Sequence, residues 1–145
     1  MTKNTVAIVG LGYVGLPLAL LIEQKGYRVI GIDNDTKKIE LLKKREAPFR
    51  DEEVSKMLKT SVLEATTDFK RIKDAAKVVI CVPTPVKKHH IPDLTPLESA
   101  CQALAPWIRR GQLFILESSV SPGVSQGVAI PLLEEGSRLK VGVDF

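Results

Sequence analysis

Three glycines at fixed spacing, directly after an apolar run, constrain this chain more than any other feature. Val6 to Gly15 reads V-A-I-V-G-L-G-Y-V-G, so a strand runs straight into Gly10-x-Gly12-x-x-Gly15. An apolar helical stretch follows at once, and Asp33 closes the next strand 18 residues after Gly15. Each part answers a separate demand. Gly10 permits the tight turn off the strand, Gly12 lets backbone approach a pyrophosphate, and Gly15 lets the helix pack on the sheet. The free N–H groups and positive dipole end of that helix then face the phosphates. A carboxylate at Asp33 can accept both hydroxyls of an adenosine ribose and would repel a phosphate on the 2′ oxygen. A strand–helix turn without a ligand explains one glycine easily, but three glycines and the acid poorly. The pattern predicts a dinucleotide site.

Composition narrows the alternatives. A length of 145 residues suits one domain with a respectable core. Val6 to Ile22 is uncharged, but at 17 residues, broken by three glycines and Pro17, it is short for a membrane span. It also lacks a small-residue cleavage site after the apolar stretch, so no secretory signal is read. The net charge is +4, aromatic residues make up 5%, and the basic residues come in short pairs such as Lys37-Lys38 and Arg109-Arg110. No basic run with interleaved aromatics appears, so neither nucleic acid nor a membrane is expected as a partner. Two cysteines without a signal peptide point to a reducing cytoplasm and no disulfide framework.

Along the chain, apolar runs alternate with amphipathic stretches, which predicts a parallel sheet with helices on both faces. Strands are expected near 5–9, 28–32, 62–65, 77–82 and 112–117, and helices near 13–25, 36–45, 52–59, 94–108 and 123–135. Gly26 and Gly111 stop the first and fourth helices. Asp35 or Thr36 caps the second, and Thr95-Pro96-Leu97-Glu98 reads as a capping box. The stretch 46–76 gives mixed signals. Right-handed crossovers arrange these strands as an α/β fold, a Rossmann-type doubly wound parallel sheet in the order 3-2-1-4-5, in a single domain. Its crevice lies at the carboxyl ends of strands one and four.

Two further blocks follow strands four and five. Cys81-Val82-Pro83-Thr84-Pro85 precedes Pro92-Asp93-Leu94, and Leu116-Glu117-Ser118-Ser119-Val120-Ser121-Pro122-Gly123 comes later. Together with Gly10-Leu11-Gly12-Tyr13-Val14-Gly15-Leu16-Pro17-Leu18-Ala19, they resemble the nucleotide-sugar 6-dehydrogenases across essentially the whole chain. The wording is more similar to the UDP-N-acetylglucosamine and UDP-N-acetylmannosamine branch than to the UDP-glucose enzymes. Those tend to carry lysine at the position of Glu117 and another residue at that of Leu11.

The resemblance implies oxidation of a primary alcohol to a carboxylate with two NAD in succession, through an aldehyde captured by a cysteine thiolate. By position, Gly10, Leu11, Gly12, Tyr13, Val14 and Gly15 would hold the pyrophosphate and Asp33 the adenosine ribose. Lys38 matches a basic position near that ribose, although a solvated cation reads equally well. Val82, Pro83, Thr84 and Pro85 would pass beside the adenine and the ribose linkage. Ser118, Ser119 and Val120 would run under the nicotinamide. Ser119 stands where the family usually has a threonine that helps hold a catalytic water. Glu117 would act near the nicotinamide or simply end an exposed strand.

Departures from the family matter as much. The family's nucleophilic cysteine, its supporting lysine and asparagine, and its S-P-E-R block belong to segments downstream of Phe145. Cys81, in the apolar Val78-Val79-Ile80-Cys81-Val82, and Cys101, in a helix, read as inert structural thiols. His89-His90 reads as a loop tip, and no metal is expected. The chain is therefore expected to be the cofactor-binding part of a longer dehydrogenase, with a final sheet strand, a dimerisation domain and a UDP-sugar domain absent. Alone it would be catalytically incomplete. The alternative is a stand-alone dinucleotide-binding or redox-sensing module. The expected partners are a UDP-sugar and other copies of the chain, with the apolar edge Leu113 to Leu116 inviting self-association.

Overall fold

The computed structural model describes residues 2–87 and 91–145; His89 and His90 lie outside the described residues. Five strands form one sheet: β1 (Thr2–Val9), β2 (Arg28–Ile32), β3 (Glu64–Thr66), β4 (Ala75–Ile80) and β5 (Leu113–Leu116). Every pairing is parallel, in the order β3-β2-β1-β4-β5. The central strand explains why the opening run has no polar alternation. Val6 and Ile8 enter one core layer, while Ala7 and Val9 enter the other. A strand buried on both faces needs apolar residues at successive positions.

Helices cover both faces. α1 (Gly15–Gln24), α2 (Thr36–Lys43) and α3 (Glu52–Thr60) pack on the first layer through Leu16, Leu20, Ile39, Leu42, Val54 and Leu58. α4 (Thr95–Leu104) and α5 (Ile130–Ser137) cover the second through Leu97, Cys101, Leu104 and Leu133. Local chemistry sets the boundaries. Asp35 accepts from the N–H groups of Lys37 and Lys38, so it rather than Thr36 caps α2. Asp51 caps α3 in the same way. Gly26 and Gly111 take positive φ where their helices have ended.

Some boundaries differ from the sequence expectation. The capping box does not form. Thr95 is already helical, and its hydroxyl donates to Asp93 at 2.6 Å, as its N–H does at 3.1 Å. That hydroxyl, with Lys87 at 3.0 Å, pulls the Asp93 carboxyl down to about 2. The helix expected over 94–108 gives way at Pro106 to a 3-10 turn, Ala105–Trp107. The one expected over 123–135 opens as a π-helical turn, Ser125–Ala129, and becomes α-helical at Ile130. Pro131 has no N–H to continue the regular bonding there. The ambiguous stretch contains a 3-10 helix, Phe69–Asp74, which carries the chain from β3 to β4. Among the described residues, no helix is long and apolar enough to cross a membrane.

One polar side chain ties this crossover to the sheet. Gln112, only 2% exposed, donates to the carbonyls of Ile72 (2.7 Å) and Ala75 (2.8 Å) and accepts from the Arg109 N–H (2.7 Å). Gln112→Leu would strip partners from three backbone groups. It should lower stability by about 2–4 kcal/mol. Urea denaturation of the variant checks this, and a loss below roughly 0.5 kcal/mol would contradict the assignment.

Candidate functional site

The glycine turn is shaped by what it must avoid. Gly10 has φ +93°, and a Cβ there would sit 2.6 Å from the Cys81 carbonyl oxygen on the neighbouring strand. A Cβ on Gly15 would lie 1.8 Å from the Gly10 carbonyl oxygen and 3.0 Å from Cys81 Cβ. α1 therefore starts in direct contact with β1 and the end of β4, which only glycine at both positions permits. Gly12 is different: a Cβ there would meet nothing within 4 Å. It would project into a cleft of about 850 Å³ lined by Gly10, Gly12, Tyr13 and Val14. The backbone N–H groups of Gly12, Tyr13 and Val14 have no acceptor among the described residues. Unpaired donors at the positive end of a helix suit a diphosphate.

Asp33 stands beside this turn, at the end of β2, and is 6% exposed. Its Oδ2 accepts from the Leu11 N–H at 2.8 Å and from Lys38 Nζ at 2.6 Å, while Oδ1 accepts from the Asp35 N–H at 3.0 Å. Lys38 is thus a partner of Asp33, with its side chain 23% exposed. A carboxylate offers about four acceptor positions, so one on Oδ1 is open, and Lys38 keeps two further donors. A ribose diol, which both donates and accepts, matches that pair. Leu11 contributes its N–H, but its side chain is fully buried in the core and away from the cleft.

The opposite end of the cleft is built from the loops after β4 and β5, so Val82 and Thr84, expected beside the adenine and the ribose linkage, stand instead bonded to the Ser118–Ser119 segment expected under the nicotinamide. Val82, Pro83 and Thr84 line it together with Glu117, Ser118 and Ser119. Pro85 and Val120 do not, and Val120 packs on the second core layer. Glu117 is exposed at the strand end, and the Ser119 hydroxyl has no partner among the described residues. Cys81 lies on the cleft floor at 7% exposure. Burial, and secondarily the Glu117 charge, push its thiol up to about 11; burial alone does the same for Cys101. Neither is a thiolate at neutral pH, so neither suits nucleophilic attack.

Sequence reasoning missed the side wall. Phe69, from the 3-10 helix, faces the cleft, and so do Thr95, Ser99 and Ala103, spaced four apart on α4. That spacing of small side chains on the helix nearest the crevice was a legible signal. Leu97, Cys101 and Leu104 hold the buried face of the same helix. The site residues expected from sequence therefore converge on one cleft, apart from Leu11, Gly15, Pro85 and Val120, which support it from behind or beside.

Gly12 and Gly15 should fail in opposite ways. Gly12→Ala is expected to keep its unfolding midpoint while NAD affinity falls at least about tenfold, because the methyl occupies ligand space. Gly15→Ala should lose roughly 2 kcal/mol or more of stability, because the helix must move off the strand. Parallel thermal melts and NAD titrations separate the two; unchanged NAD binding by Gly12→Ala would contradict the site.

Residues 4–145 match the NAD binding domain of the UDP-glucose/GDP-mannose dehydrogenase family. Protein CapL of Staphylococcus aureus is 39% identical over 100% of this chain and 34% of its own length. UDP-N-acetyl-D-glucosamine 6-dehydrogenase of Pseudomonas aeruginosa is 34% identical over 100% of this chain and 34% of its own. The ternary-complex crystal structure of GDP-mannose dehydrogenase from Pseudomonas aeruginosa superimposes with a TM-score of 0.91 at 36% identity, over 97% of this chain and 34% of that one. The chain spans about a third of the length of these relatives. Sheet order, glycine turn and sequence match agree, and the chain belongs to the UDP-glucose/GDP-mannose dehydrogenase family as its NAD binding domain.

Proposed function

We propose that this chain holds NAD for a nucleotide-sugar 6-dehydrogenase, which oxidises the C6 alcohol of a UDP-N-acetylhexosamine, or of UDP-glucose, to a uronic acid. The observation that carries the reading is the unpaired N–H set of Gly12, Tyr13 and Val14 beside the Asp33–Lys38 pair. Those donors take the diphosphate, and the pair takes the ribose diol. The small-residue wall of Ser99, Ala100 and Ala103, facing Phe69, suits a flat base such as adenine. Bound NAD supplies the hydride acceptor, and a four-electron oxidation uses two in turn.

At the other end, the free Ser119 hydroxyl is placed to hold a water, and Glu117 offers an acceptor carboxylate near the nicotinamide. Cys81 and Cys101 keep their protons, so thiolate capture of an aldehyde falls to a cysteine outside these residues. Relatives named for UDP-N-acetyl-D-glucosamine and for GDP-mannose reach 34% and 36% identity, so these residues support a nucleotide-sugar in general. The UDP-N-acetylhexosamine preference rests on Leu11 and Glu117. Two free, buried cysteines suit a reducing cytoplasm.

Calorimetric titration with NAD and NADP tests the cofactor reading. The chain should prefer NAD by more than about tenfold, because a 2′-phosphate would meet the Asp33 carboxylate. Asp33→Asn should narrow that preference, since it removes the repelling charge and frees Lys38 to meet a phosphate. Equal binding of both by the unaltered chain, or no change in the variant, would overturn it. The partner reading has its own measurement. β5 is an edge strand with Leu113 52% and Ile115 38% exposed, and we propose that copies pair along it. Sedimentation should show mass rising with concentration, whereas a monomer throughout would contradict it.

A further inference from the structure

The loops after β4 and β5 have a bonding problem. The regular ladder between these strands ends at the Ile80↔Leu116 pair, and the Ile80 carbonyl then accepts from both the Glu117 and Ser118 N–H groups. Beyond it, no backbone hydrogen bonds join the two loops among the described residues. Two side-chain hydroxyls stand in their place. Ser118 Oγ donates to the Val82 carbonyl at 2.8 Å, and Thr84 Oγ1 donates to the Ser119 carbonyl at 2.9 Å. Each loop gives one hydroxyl to a carbonyl of the other.

We infer that Thr84 and Ser118 form a reciprocal hydroxyl clasp that fixes the nicotinamide end of the cleft and sets the position of the Ser119 hydroxyl. The inference rests on the reading of this cleft as the NAD site. Both clasp protons are committed to protein carbonyls, so toward a ligand Thr84 and Ser118 act only as acceptors. Ser119 lines the same end, and its hydroxyl has no partner among the described residues and is able to donate. Its backbone is held by Thr84, which is therefore a positioning residue. The clasp lies at the far end of the cleft from Asp33, so it should matter for the nicotinamide half of the cofactor and not for the adenosine half.

That asymmetry supplies the test. Thr84→Val keeps the shape and deletes the hydroxyl, Thr84→Ser keeps the hydroxyl, and ADP occupies only the adenosine and diphosphate positions. Thr84→Val should weaken NAD binding about tenfold while ADP binding stays within about twofold, and Thr84→Ser should return NAD binding to within about threefold of the unaltered chain. In the ligand-free protein, amide hydrogen exchange at residues 118–120 should speed up in Thr84→Val and be restored in Thr84→Ser. Unchanged NAD binding, equal weakening of NAD and ADP, or failure of Thr84→Ser to rescue overturns the inference. If the unaltered chain binds neither nucleotide, the cofactor reading fails; the exchange arm then still decides the clasp, with unaltered exchange in Thr84→Val counting against it.

Discussion

A side chain on Gly15 would begin 1.8 Å from the carbonyl oxygen of Gly10, and the fold is arranged around that contact. Because Gly15 brings nothing there, α1 starts directly above the strand it follows instead of standing off by the width of a side chain. The turn between them must be tight, which gives Gly10 its positive φ and packs it on the Cys81 carbonyl. With no room for a longer connection, the N–H groups of Gly12, Tyr13 and Val14, just before the helix, are left unpaired at the cleft among the described residues. Local backbone geometry thus produces a cluster of unsatisfied donors, an arrangement that suits a diphosphate. A methyl group at Gly15 would break every later link of that chain.

Asp33 connects the turn to the rest of the site. A carboxylate at 6% exposure needs donors, and it has three, from Leu11, Asp35 and Lys38. The Leu11 bond fastens the glycine turn to the end of β2, so the residue proposed to discriminate the ribose also holds the loop proposed to bind the phosphates. Leu11 makes the arrangement rigid from below, with its side chain packed against Gly31. Binding geometry at one end of the cleft therefore depends on core packing. At the other end it depends on two hydroxyls, of Thr84 and Ser118, that join the loops where the backbone ladder has ended.

Much of this was legible in the sequence because it was encoded locally. The glycine spacing, the acid at the end of β2, the caps at Asp35 and the alternation of apolar runs each lie within a few residues of what they determine, and strand order follows from handedness. The parts that were not legible depend on distant partners. Gln112 sits 40 residues from the Ile72 carbonyl it satisfies, and nothing in Arg110-Gly111-Gln112-Leu113 announces that bond. Lys38 read equally well as a solvated cation, since its contact with Asp33 depends on how α2 leaves the sheet. Thr95 looked like a cap because sequence cannot show that Asp93 would take its hydroxyl. Leu11 looked like a ligand contact because the motif gives positions, not the direction of a side chain.

An amide-resolved NMR titration of the chain with NAD tests the central claim most directly. The account predicts saturable shifts at Gly12, Tyr13 and Val14, together with Asp33 and Asn34, as the unpaired donors acquire phosphate acceptors. Saturable binding that leaves those amides unmoved, with shifts confined to other surfaces, would contradict it.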